Sequence, residues 1–267
     1  WKEVTGFSWF KSAVHDVLER MLYLFPFDQY VCVSEYTRKD LLKIGIKPEK
    51  AKVIYNGLDY SFWNPRKVKR SEIDDIRDRL GLKDKYVFFS WGRPGNSKGF
   101  EYAIRAFPQV AAEKKDAMLL LVLSSASSYK KKYQELIGSA DSINRLIGSE
   151  KIKVIPSLSR EELRTLLAAV VCAVVPSLAE GFGFSAAEAS AMGKDIIASD
   201  AGSLPEVVSG RSLFFRNRDC LDLAEKMIEA GNDRYGRSEN KNFRWDSCIK
   251  GYADVYGPMM KINKKRL

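Results

Sequence analysis

Two stretches of the sequence carry residues whose types and spacing can do chemistry, and each follows an apolar run. The first is Pro176-Ser-Leu-Ala-Glu180-Gly-Phe-Gly-Phe184-Ser-Ala-Ala-Glu188, with two carboxylates around a glycine-bearing segment. Residues up to 175 read as a buried strand, and a helix is predicted to start near Ser185. The loop between them therefore faces that helix's unpaired N–H groups and positive dipole end, a geometry that binds phosphate. Gly181 and Gly183 let the backbone approach a ligand closely, while Glu188, about one turn into the helix, reaches hydroxyls beside its N-terminus. A tight strand-to-helix turn with two solvated glutamates explains the same spacing, and spacing alone does not choose. The second stretch is Ser90-Trp-Gly92-Arg93-Pro-Gly95-Asn-Ser-Lys98-Gly99, again at the end of a predicted strand. Ligands of open α/β sheets bind at the carboxyl ends of strands, so Arg93 and Lys98 are placed to neutralise one diphosphate at the Phe184 helix. Surface cations on a glycine turn are the plainer account. It weakens because both stretches fall at corresponding ends of one sheet.

The elements that hold these loops are legible from residue 86 onward. Six β-rich runs, 86–91, 118–124, 152–155, 171–175, 195–198 and 212–215, alternate with segments of helix length. Near-continuous Val, Ile, Leu and Phe is what burial on both faces requires, so the pattern predicts an α/β fold with a doubly wound, Rossmann-like parallel sheet of six strands. Ser71-Glu-Ile-Asp74 and Ser159-Arg-Glu-Glu162 read as capping boxes, and Asp219 as the cap of a helix running to Ala230. Upstream, helices over 12–24 and 37–43, strands over 30–33 and 52–55 and the turn Asn56-Gly57 read as the tail of a neighbouring α/β unit. The expected division is 1–50 as that remnant and linker, 51–240 as the complete domain, and 241–267 as a helix with a basic tail.

Composition narrows the function classes. At 267 residues, 45% hydrophobic and 29% charged, the chain is globular, and at ~150 residues per domain it holds one domain and part of another. The longest apolar runs, 117–123 and 166–175, fall short of the ~20 residues that span a bilayer. The chain opens Trp-Lys-Glu with charges soon after, so no signal peptide is expected and a longer parent chain is. Four dispersed cysteines and the single His15 argue against disulfide and multi-histidine metal sites and favour a reducing, cytoplasmic setting; His15 reads as an ordinary packing or surface histidine. A net charge of +10 calls for an anionic partner. Nucleic acid is not predicted, because Lys130-Lys-Lys132 and the 261–266 tail come with no nucleic-acid-reading motif.

Glu180 and Glu188 in an E-G-F-G context, Gly92-Arg93 with Lys98-Gly99, Val31-x-Val-Ser34-Glu and Val53-Ile-Tyr-Asn56-Gly-Leu-Asp59 together resemble the nucleotide-sugar half of the family 4 retaining glycosyltransferases of GT-B architecture. The resemblance runs from about residue 28 to the helix over 245–256. It implies that Arg93 and Lys98, in the loop opened by Gly92, bind the donor diphosphate and stabilise the leaving nucleotide. It implies further that Glu180, with Gly181, Phe182, Gly183 and Phe184, holds the donor sugar. Glu188 would then accept hydrogen bonds from the ribose, and Pro156, Ser157 and Leu158 would line the base. Arg93, Lys98 and Glu180 are thus the implied catalytic residues. The resemblance implies a UDP-, GDP- or ADP-linked sugar as donor and a glycan or lipid-linked molecule as acceptor, with the acceptor-side domain upstream or on a partner chain. A nucleotide-sugar-binding subunit without activity of its own is the alternative. Two positions depart from the family: Gly193-Lys-Asp195 replaces Gly-x-Pro, and Ser97 stands where an acidic or amide residue is common. No aspartate stands two residues from another, so no D-x-D pair is present to hold a metal, and Arg93, Lys98 and the helix dipole would supply the positive charge instead. No cofactor is expected beyond the donor itself. The family's acceptors and the basic tail together favour contact with an anionic cytoplasmic membrane face.

Overall fold

A computed structural model describes residues 8–263 except 24 and 26. These form two compact units, one from the described residues up to Tyr60 together with those from Lys241 on, the other from Ser61–Asn240.

In the smaller unit, helix α1 (Trp9–Tyr23) is followed by strand β1 (Tyr30–Cys32), helix α2 (Glu35–Lys43) and strand β2 (Ala51–Val53), with β1 and β2 paired in parallel. Ser34 caps α2: its Oγ accepts the Thr37 N–H at 3.1 Å, and Thr37 Oγ1 accepts the Ser34 N–H in return. The predicted helix end at Leu24 lies outside the described residues.

The larger unit opens with α3 (Arg70–Leu80) and then alternates β3 (Tyr86–Gly92), α4 (Phe100–Glu113), β4 (Ala117–Leu123), α5 (Lys130–Ile147), β5 (Ile152–Pro156), α6 (Arg160–Ala169), β6 (Cys172–Val175), α7 (Phe184–Ala191), β7 (Asp195–Ser199), α8 (Leu204–Val207), β8 (Gly210–Phe215), α9 (Cys220–Gly231) and β9 (Gly236–Ser238). The sheet order is β5-β4-β3-β6-β7-β8-β9, parallel from β5 to β8. All six predicted strands are present. The seventh, β9, runs antiparallel on β8 at the edge, and its polar Gly-Arg-Ser carries no strand signal; pairing with 210–212 and a 2.7 Å bond between the Ser212 and Ser238 hydroxyls make it a strand.

Every residue of β4 is buried, as a central parallel strand covered on both faces must be. On one face Phe88, Leu119, Leu121 and Leu123 pack with Phe100, Ile104 and Phe107 of α4, Leu136 of α5 and Met227 of α9. Burial of such side chains contributes ~1.5–3 kcal/mol each. The predicted caps of α6 and α9 form: Ser159 Oγ accepts the Glu162 N–H, and Asp219 Oδ1 accepts those of Leu221 and Asp222. The cap of α3 sits elsewhere than expected. Glu72 reaches back to the Lys69 N–H at 2.7 Å, so Ser71 lies inside the helix instead of starting it.

Helix α10 (Trp245–Asn263) closes the chain within the smaller unit. Its Cys248 and Val255 pack on Ile54, the Leu58 N–H reaches Phe243 O at 2.7 Å, and Gly57 lies so close under Trp245 that a Cβ would come within 2.4 Å of the indole. The larger unit therefore begins at Ser61 where the sequence reading put 51, and residues 241 onward join the first unit. The reason is packing between segments distant in sequence. Of the predicted basic tail, residues 264–267 lie outside the described residues. Among those described, no helix is long and apolar enough to cross a membrane, and the four cysteines are free.

Candidate functional site

The chain leaves β3 toward β4 and β5, then returns across to β6 on the other side of β3. Phe88 pairs with Cys172 and Phe89 with Ala173. The loops after β3 and β6 thus emerge side by side at the sheet's carboxyl edge, at the point where strand order reverses, the crevice in which such sheets bind ligands.

These two loops are joined. The Leu178 N–H donates to Ser97 O at 2.7 Å. Gly99 has φ +64° and approaches so closely that a Cβ there would lie 2.0 Å from Pro176 O, which only glycine permits. The join carries Lys98 to Glu180: its Nζ stands 2.5 Å from Glu180 Oε1, the same oxygen that accepts the Ser177 hydroxyl at 2.9 Å. The Glu180 main chain is held from below by the loop after β7. A Cβ on Gly202 would come within 2.4 Å of Glu180 O, an oxygen that accepts both the N–H and the Oγ–H of Ser203 at 3.2 Å. Ser199 Oγ donates to Ser177 O at 2.5 Å, and Asn217, just past β8, donates its amide to Leu178 O at 3.0 Å.

Gly183 caps α7 with φ +91°, packed against Leu204. Phe182 is buried and Phe184 exposed, their rings meeting edge to face at 5.1 Å. One turn on, Glu188 Oε2 accepts the Trp91 indole N–H at 3.1 Å, and that indole stacks on Phe89 at 4.9 Å. Burial lifts the Glu188 carboxyl to about 7, against the opposing pull of the Trp91 N–H and of the positive charges on Arg160 and Lys98. Arg160, opening α6, lies with its guanidinium 4.3 Å from the Phe62 ring centroid.

The structure thus pairs Lys98 with Glu180 and Glu188 with Trp91, with Gly181, Phe182, Gly183 and Phe184 in the segment between the two glutamates. Gly92 has φ +144°, and the Arg93 side chain that follows it is exposed, with no hydrogen-bond or ion-pair partner among the described residues. Pro156, Ser157 and Leu158 stand at the same carboxyl edge, on β5 and just after it, but β5 is the sheet's edge strand and they make no hydrogen bond to the cluster. His15 lies on α1 in the smaller unit, away from these loops in sequence and exposed. Sequence reasoning missed Trp91, Ser177, Ser199, Gly202, Ser203 and Arg160. A hydroxyl three residues before a carboxylate was a signal for Ser177; the others act from separate strand ends and offered none.

Comparison with known proteins bears on this arrangement. Residues 72–245 match the family described as glycosyl transferases group 1, and residues 4–62 match glycosyltransferase family 4. The chain is 27% identical over 248 residues to a D-inositol 3-phosphate glycosyltransferase of Nocardioides sp., covering 86% of this chain and 53% of that one. It is 25% identical over 248 residues to an alpha-maltose-1-phosphate synthase of Mycobacterium tuberculosis, covering 85% and 62%. It thus spans about half to two thirds of these curated relatives. Among solved structures, it is similar to Anabaena HepE in complex with UDP and glucose, with TM-score 0.67 at 22% identity over 77% of this chain and 54% of that one. It is also similar to a sucrose-phosphate synthase of Thermosynechococcus elongatus, with TM-score 0.73 at 21% identity over 94% and 62%.

Proposed function

The chain belongs to the glycosyl transferases group 1 family and has the fold of GT-B neighbours, and from that premise we propose that it is part of a glycosyltransferase whose larger unit binds a nucleotide-diphosphate sugar whose sugar passes, with retention, to a glycan or lipid-linked acceptor. The observation that carries this reading is that residues at or after the end of β3 contact both glutamates that follow β6, Lys98 pairing with Glu180 and the Trp91 indole N–H donating to Glu188. In it, Lys98, Arg93 and the first N–H groups of α7 take the diphosphate. As the bond from the anomeric carbon to the diphosphate breaks, its electron pair stays on the diphosphate, where these donors stabilise the charge by a few kcal/mol each. Glu188 accepts ribose hydroxyls, Pro156, Ser157 and Leu158 line the base, and Glu180 with the 181–184 backbone holds a hexose. The fixed cations and dipole stand in for a metal.

A further domain or partner chain completes the cleft in this reading. Support comes from α1, which exposes Trp9, Phe10, Val17, Leu18, Met21 and Leu22 while burying Ser12. A helix turned apolar side outward is built to be covered.

The test is calorimetry with UDP-, GDP- and ADP-linked sugars. One of them is expected to bind, with or without EDTA. Lys98→Ala and Glu188→Ala are expected to weaken that binding by roughly 1.5 to 3 kcal/mol each, without lowering cooperativity of unfolding. Unchanged affinity in both variants would remove the site assignment, and loss of binding on chelation would overturn metal independence.

A further inference from the structure

We propose that Glu180 makes this site select the sugar-bearing nucleotide over the bare nucleotide diphosphate, and that Ser177 is the positioning residue that keeps it in place. The inference rests on the reading of Lys98 as a diphosphate ligand. Glu180 Oε1 is engaged twice, by Lys98 Nζ at 2.5 Å and by Ser177 Oγ at 2.9 Å, in a pair whose side chains are only 24% and 12% exposed. Oε2 carries no hydrogen bond among the described residues and is not sealed from solvent. The plain explanation would be a stitch between two loops. That stitch already exists without the ion pair, in the Leu178–Ser97 bond and the Gly99–Pro176 contact, and the Glu180 backbone is fixed separately by Gly202 and Ser203. The ion pair is therefore free to serve a ligand.

Two chemical consequences follow for that ligand. A diphosphate arriving at Lys98 must share it with Glu180 and lie near a carboxylate. A bare nucleotide diphosphate carries one more negative charge on its terminal phosphate than a nucleotide sugar does near neutral pH, so it is repelled more. A nucleotide sugar brings hydroxyl donors for the open Oε2 and recovers what the shared lysine costs. Ser177, 2% exposed and anchored through its carbonyl to Ser199 Oγ, fixes which carboxylate oxygen faces Lys98.

Glu180→Gln is the decisive variant, because the amide keeps an acceptor for Lys98 and Ser177 while removing the charge. Calorimetry at pH 8 with UDP, GDP, ADP and their glucose conjugates is expected to show the bare nucleotide binding about three- to tenfold more tightly to the variant. The conjugate is expected to bind more weakly, so the preference ratio falls. Ser177→Ala is expected to lower the same ratio by a smaller factor with its melting transition intact, a change that a merely structural hydroxyl would not produce. If the wild type binds nucleotides and Glu180→Gln leaves bare-nucleotide affinity unchanged or weaker, this inference falls and the donor-site reading stands. A ratio unmoved in Ser177→Ala removes Ser177 from it. A wild type that binds none of the nucleotides overturns both.

Discussion

Glu188 shows how one residue's environment sets its behaviour. Desolvation raises its carboxyl to about 7, well above the usual range, so the folded state holds the proton after the unfolded chain has lost it. Stability is therefore lost as pH rises from ~4.5 to about 7 and stays reduced above that. Glu188→Gln should melt above the wild type at pH 8, with the difference vanishing near pH 4.5. In the proposed role of Glu188 binding runs the other way, since a carboxylate accepts ribose hydroxyls better than the neutral acid. A nucleotide sugar, whose diphosphate does not titrate in this range, should bind up to about tenfold more tightly at pH 8 than at pH 6, and Glu188→Gln should flatten that dependence. A wild-type binding profile already flat across this window would mean that Glu188 is ionised throughout or touches no ligand.

At the scale of elements, the site depends on two loops lying in register. The adjacency of β3 and β6 places them, and Gly99 lets them touch. Gly99→Ala combines a positive φ with a 2.0 Å clash against a carbonyl, and should shift Lys98 and lower nucleotide affinity although it adds only a methyl group. Asp219→Ala removes the cap of α9 and should cost ~0.5–2 kcal/mol in urea unfolding while leaving affinity unchanged. Equal effects of the two on binding would show that affinity follows global stability and not the loop join. The six parallel strands and the α6 and α9 caps were legible because burial on both faces and helix capping leave local signatures. Strand β9 and the true cap of α3 were not, since one depends on pairing with 210–212 and the other on a carboxylate reaching backward from Glu72.

For the whole molecule, the relatives matter most. The chain spans 53% and 62% of the lengths of two of them. Catalysis between two substrates needs both held in line, and orientation contributes ~7 to 11 kcal/mol in well-aligned reactions. The chain by itself should thus bind its nucleotide sugar yet transfer no radiolabelled sugar to a cell-envelope extract. Turnover near the ~10 s⁻¹ typical of enzymes would show that this chain forms a complete cleft alone.

The sequence by itself determined the alternation of strands and helices, the carboxyl-edge position of both glycine loops, and the family to which Glu180, Glu188, Arg93 and Lys98 point. Those properties are written in local pattern: periodicity, caps and short motifs. Only the tertiary structure decided that Lys98 rests on Glu180 while Glu188 rests on Trp91, that Ser177, Gly202 and Ser203 hold Glu180 in place, and that residues 51–60 belong with α10. Each of these is a contact between segments far apart in the chain. Strand order and close packing bring such segments together, and neither is encoded in the spacing of any one of them.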